Sequence, residues 1–126
     1  MEKQPIQIGR EKLYGPYSPG VKFHGIIWLS GQIAPEAGAD TASQTQGALD
    51  KIDGLLMAAG VDKNAVCFAQ ILLDDIEDFA MMNEVYGAWV EGMATKPARA
   101  AFEAGALPAK AKVEIVIQAI DANCCE

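Results

Sequence analysis

Residues 65–73 read AVCFAQILL. An extended chain sends alternate side chains to opposite faces. One set here is Val66, Phe68, Gln70 and Leu72, and the other is Cys67, Ala69, Ile71 and Leu73. Both sets are apolar apart from one glutamine, so the segment predicts a strand covered on both sides. One layer of helices covers only one face of a sheet, and the second face needs a partner of its own.

Downstream, residues 76–91 predict a helix. Ile76, Phe79, Met82, Asn83, Tyr86 and Val90 fall on one stripe, Asp74, Asp75, Glu77 and Asp78 gather at its positive end, and Gly92 stops it. Upstream, residues 41–59 predict another helix. Thr41 and Gln44 have capping-box spacing, and Thr45, Ala48, Leu49, Ile52, Leu55, Leu56 and Ala59 form its apolar stripe, with Gly60 at the end. Residues 21–33 predict two short strands around an exposed turn at His24-Gly25. Residues 98–104 and 112–120 predict two more. In the last of these, Val113, Ile115, Ile117 and Ala119 form a helix-packing face, while Glu114, Val116, Gln118 and Ile120 form a mixed one. The order is β-β-α-β-α-β-β, an α+β layer with two helices on one face of a sheet. The other face, carrying Phe68, Leu72 and Ile120, is too apolar to stand bare and is expected to pack against other copies in a closed ring.

A chain of 126 residues suits one domain, residues 1–126, with a core over 13–120 and a tail at 121–126. Its net charge of −7, with no block of Lys or Arg, argues against nucleic acid and anionic membranes as partners. No apolar run approaches the ~20 residues of a membrane span. The opening MEKQPIQIGREK lacks the apolar centre of a secretory signal, so a soluble cytoplasmic protein is expected. Cys67 reads as a core residue and Cys124-Cys125 as a frayed tail. With His24 as the single histidine, no zinc set is expected.

The candidate chemistry centres on KPARAAFEAG, residues 96–105. Arg99 stands among alanines, and a guanidinium is costly to bury unless something negative meets it. Either it forms a structural salt bridge, to Glu103 or Glu114, or its planar fork receives the carboxylate of a small acid. Glu114 interrupts an apolar strand and is either a neutralising partner or a group that orients water and moves a proton. Tyr17 in the loop GPYSPG, Ser30 at the end of WLSGQ and Asn83 on the second helix stripe are weaker candidates with structural readings beside them. No phosphate-binding glycine loop, Ser-His-Asp set or HExxH motif is present.

The stretches GPYSPGV, WLSGQIAPEAG, DFAMMNEVYGAWV, KPARAAFEAGALP and KVEIVIQAI, in this order and spacing, resemble the RidA family, also called YjgF/YER057c/UK114 or endoribonuclease L-PSP. The resemblance spans roughly residues 13–120. It implies a chorismate-mutase-like fold and a homotrimer with a central β-barrel and three interface sites. It also implies hydrolysis of 2-imino or enamine acids to 2-keto acids and ammonia, without metal or bound cofactor. By the same resemblance, Arg99 holds the substrate carboxylate and Glu114 positions the attacking water. Tyr17, Ser30, Asn83 and Ala101 line or support the pocket. Ala101 stands where many members have cysteine, Val116 where many have a second acid, and Pro19 where glutamine is frequent. The alternatives are a non-catalytic trimeric binder of small carboxylates, a ribonuclease or translation inhibitor, and a chaperone.

Overall fold

The computed structural model of the chain describes residues 2–9 and 13–123. Among these, six strands form a single sheet: β1 (Gln4–Ile6), β2 (Gly20–Phe23), β3 (Ile26–Gln32), β4 (Val66–Leu73), β5 (Ala98–Glu103) and β6 (Val113–Ile120). Their spatial order is β1-β2-β3-β6-β4-β5. β4 and β5 run parallel, and every other neighbouring pair is antiparallel. Two helices, α1 (Thr41–Ala58) and α2 (Phe79–Val90), supply the second layer.

The apolar stripe of α1 is buried as its spacing predicts. Thr45, Ala48, Leu49, Ile52, Leu55 and Leu56 are at most 1% exposed. They meet Ala69, Ile71 and Leu73 of β4 and Val113, Ile115, Ile117 and Ala119 of β6, all fully buried. Each large aliphatic side chain in this layer contributes roughly 1.5–3 kcal/mol by leaving water. Gly60, at φ 88°, reverses the chain after α1, and Gly92, at φ 87°, does so after α2.

Four expectations need correction. β1 was not anticipated: Gln4–Ile6 is three residues long and becomes a strand because it pairs with β2, which seats Ile6 in the core. The cap of α1 is Asp40, whose carboxylate accepts from the Ser43 N–H at 2.9 Å. Thr41 and Gln44 are instead buried, with Thr41 donating to Asp78 and Gln44 bonding Gly38 and Lys112. A short 3₁₀ turn occupies Ile76–Asp78 before α2 begins, leaving Ile76 43% exposed. Finally, Cys67 is exposed rather than in the core. Val66 faces Ala119 and Phe68 faces Gln118, so Cys67 is the extra residue of a β-bulge. The bulge turns Val66 inward, and Cys67 loses the place that strict alternation assigns it. The Cys124-Cys125 pair lies outside the described residues.

The face of the sheet away from the helices is apolar and open in the single chain. Ile26, Trp28, Phe102 and Ile120 are 39–49% exposed on it. Phe68, Gln70 and Leu72 lie half-buried between them. No helix among the described residues is long and apolar enough to cross a membrane.

Candidate functional site

The candidate residues fall into two groups on opposite faces of the sheet. In the register of β6 against β4, Glu114 stands opposite Leu72, on the face away from the helices. Its neighbour across β3 is unusual. The β3–β6 ladder shifts between Leu29 and Gln32, which opens the pairing at Ser30-Gly31. The Glu114 carboxyl occupies that opening, against the bare Cα of Gly31: a Cβ there would sit 2.0 Å from Oε2. Half-burial pushes the Glu114 carboxyl above the usual carboxylate range, because losing water disfavours the charged form.

Around Glu114 is a cleft of about 540 Å³ that also takes in Tyr17, Pro19, Ser30, Gln32 and Pro108. Ser30 is tied down at both ends. Its N–H donates to Pro19 O at 2.9 Å and its hydroxyl to Ser18 O at 2.7 Å. The hydroxyl proton is thus committed, while the oxygen lone pairs still accept. Tyr17 is 42% exposed on the loop forming one wall. Lys51 of α1 reaches the same cleft and is held by Ile33 O and by Glu36, at 2.7 and 3.0 Å. Sequence reasoning missed Lys51 because its position looks like the solvated face of a helix.

Arg99 belongs to the second group. It stands opposite Ala69 in the parallel β4–β5 register, on the helix side of the sheet. β5 is the edge strand. Arg99 Nη1 donates to Asn83 Oδ1 of α2. Its guanidinium carbon lies 5.5 Å from the Phe79 ring centroid and 5.1 Å from that of Tyr86. Ala101, two residues along on the same face, is half-buried against Ile71. No carboxylate among the described residues forms an ion pair with Arg99. Glu103 accepts the Ile76 N–H at 2.9 Å instead, which removes the structural-bridge reading. Phe79 and Tyr86 were legible only as members of a core stripe. The signal for more was Asn83, a polar residue set between them on an otherwise apolar face.

One chain therefore gathers Tyr17, Ser30 and Glu114 into a cleft and Arg99, Asn83 and Ala101 into a separate cluster. Chemically, the first group offers an acid–base carboxyl, a lone-pair acceptor and a walled space. The second offers a guanidinium held by neutral groups, free to bind an anion. Among the described residues no three His, Cys, Asp or Glu side chains are grouped to hold a metal ion.

Residues 9–121 match the sequence model of the family described as Endoribonuclease L-PSP. The 2-iminobutanoate/2-iminopropanoate deaminase of Escherichia coli is 37% identical over 107 residues, covering 80% of this chain and 84% of that protein. A crystal structure of a YjgF family member from Neisseria meningitidis superposes with a TM-score of 0.84 at 38% identity, covering 98% of both chains. The structure of E. coli TdcF with bound serine superposes with a TM-score of 0.87 at 29% identity, covering 94% of this chain and 99% of that one.

Proposed function

The chain belongs to the endoribonuclease L-PSP family, also called RidA, and on that premise we propose that it is a hydrolytic deaminase. In this reading it converts 2-imino acids, or their enamine tautomers, to 2-keto acids and ammonia. It works as a homotrimer of single-domain copies whose open sheet faces close into a central barrel. The family's endoribonuclease name suits this chain poorly, since a net charge of −7 repels a phosphate backbone.

The observation that carries the reading is the separation of the two groups. An arginine with no carboxylate partner among the described residues sits at the edge strand, and a carboxyl whose pKa is raised by burial sits in a cleft on the other face. Neither is useful to an imino acid alone. A second copy docked along the apolar face and the β5 edge brings one copy's Arg99 to the other copy's cleft. The serine bound to TdcF, itself an amino acid with a free carboxylate, supports an acid-binding site in this fold.

The chemistry then follows from the groups. Arg99 fixes the substrate carboxylate, which sets the position of the adjacent C=N carbon. Ser30, its own proton already donated, accepts from the imine N–H. Glu114 holds a water against the carbon and takes a proton as the C–O bond forms. The imine reacts in its N-protonated form, so attack gives a neutral carbinolamine. Glu114 returns its proton to the nitrogen, the C–N bond breaks, and the hydroxyl proton passes through Glu114 to the departing ammonia as the keto group forms. Water supplies the oxygen, and no redox step is involved. Asn83 orients Arg99, while Tyr17 and Ala101 line the space.

Arg99→Ala tests this directly, with 2-iminopropanoate generated enzymatically in the assay. Losing a charged double hydrogen bond costs roughly 3 kcal/mol, so kcat/KM should fall about 100-fold. Wild-type pyruvate release by a folded Arg99→Ala protein would rule out the mechanism.

A further inference from the structure

Arg99 is surrounded by small residues on its own strand. Ala98, Ala100 and Ala101 have no side chain long enough to restrain a guanidinium. An arginine on an alanine-rich edge strand would sample many rotamers, and a bound carboxylate would have to freeze them at a cost in affinity. The restraint comes instead from one face of α2. Phe79, Asn83 and Tyr86 are spaced four and three residues apart and therefore project together. The two rings flank the guanidinium at 5.5 and 5.1 Å, and Asn83 accepts from Nη1. A guanidinium has five N–H donors, and the bond to Asn83 is the single hydrogen bond its side chain makes among the described residues.

Tyr86 adds a second observation. It is 6% exposed, yet its phenol oxygen has no hydrogen-bond partner among the described residues. A buried hydroxyl without a partner is unfavourable, so the hydroxyl does not account for the tyrosine here. The ring, packed against Arg99 and against Trp89 at 6.0 Å, does.

We propose that Phe79 and Tyr86 are positioning residues that clamp the Arg99 guanidinium, so that its free donors meet the substrate carboxylate in one orientation. This deepens the reading of Arg99 as carboxylate anchor and rests on it. The ring faces supply attraction to the cation without competing for its N–H groups, whereas a carboxylate in their place would occupy the fork.

The test uses the full chain and two probes: pyruvate, whose binding is followed by calorimetry, and 2-iminopropanoate, whose turnover is followed by pyruvate release. Phe79→Leu and Tyr86→Leu should each raise the pyruvate Kd and the KM by about tenfold, with kcat changed less. Tyr86→Phe, which keeps the ring, should restore both constants to within about twofold of wild type. A merely structural role would lower Tm and leave Kd and KM alone. Phe79 is only half-buried, so Phe79→Leu carries the test by itself if Tyr86→Leu fails to fold. Wild-type pyruvate affinity in a folded leucine variant, with affinity lost in Arg99→Ala, overturns the clamp and leaves the anchor standing. Equal weakening by Tyr86→Phe and Tyr86→Leu overturns it too, since the hydroxyl would then be the active part. Full pyruvate affinity in Arg99→Ala would bring down anchor and clamp together.

Discussion

Glu114 occupies its cleft because residue 31 has no side chain. The shift in the β3–β6 ladder opens a space one carboxyl wide, and the Gly31 Cα forms its floor. The two residues are coupled through shape, so a change at one is a perturbation of the other. Gly31→Ala places a methyl 2.0 Å from Glu114 Oε2, a separation no packing tolerates. The carboxyl is the far end of a flexible, half-buried side chain, so it swings away from its seat at small cost in stability. The expected result is a Tm close to that of the wild type, a drop of about tenfold or more in 2-iminopropanoate turnover, and retained pyruvate binding, because Arg99, which anchors the carboxylate in the proposed site, is untouched by the change. Thermal melts, kinetics and calorimetry on the same preparation separate these effects. Unchanged turnover would mean that the seat of Glu114 has no part in the reaction. The importance of Gly31 was not legible beforehand, since SGQ does not announce which carboxyl will rest on its glycine.

Among the elements, α1 shows both what sequence patterns settle and what they leave out. Its stripe from Thr45 to Ala59 was legible because helical spacing and burial are the same fact seen twice. Its cap was not. Thr41 and Gln44 satisfy the capping-box spacing, but Asp40 lies one residue earlier and bonds both the N–H and the hydroxyl of Ser43. Those bonds, with the backbone N–H first, hold the Asp40 carboxyl below the usual aspartate range. A group with a lowered folded pKa adds stability above its ordinary pKa and loses it as the pH falls through the lowered value. The Tm of the wild type minus that of Asp40→Asn should therefore be positive near neutrality and shrink across that acid window. A difference that stays flat with pH would show that the charge contributes nothing to the cap. β1 and the Cys67 bulge were invisible for a related reason. A three-residue strand has no period to read, and a bulge depends on how β4 registers with β6, where Val66 and Phe68 meet Ala119 and Gln118 far along the chain.

At the scale of the whole molecule, the strand at 65–73 predicted cover on both faces, and one chain covers only one. Phe102 remains open on the edge strand β5, and Ile120 remains open on β6 further across the same face. Arg99 and Glu114 were each legible as unusual charges in apolar strands. Their placement on opposite faces was not, because it follows from a strand order that no local pattern encodes. That placement makes a prediction about copies rather than residues. If each site takes its arginine from one copy and its glutamate from the next, Arg99→Ala and Glu114→Gln damage different halves of it. Mixed rings then regain function that neither variant has alone. Around any closed ring of three containing both variants, one junction brings an intact Arg99 to an intact Glu114, and the other two do not. Random mixing of equal amounts leaves about three quarters of the rings mixed, each with one working site in three. Activity should then return to roughly a quarter of the wild-type level. The measurement is co-refolding of the two inactive proteins, with each pure variant refolded alongside and ring size followed by light scattering. Recovery near that fraction requires sites shared between copies. No recovery in rings shown by mass spectrometry to be mixed would place the two residues in unrelated roles, and the hydrolytic reading would have to be rebuilt on one of them alone.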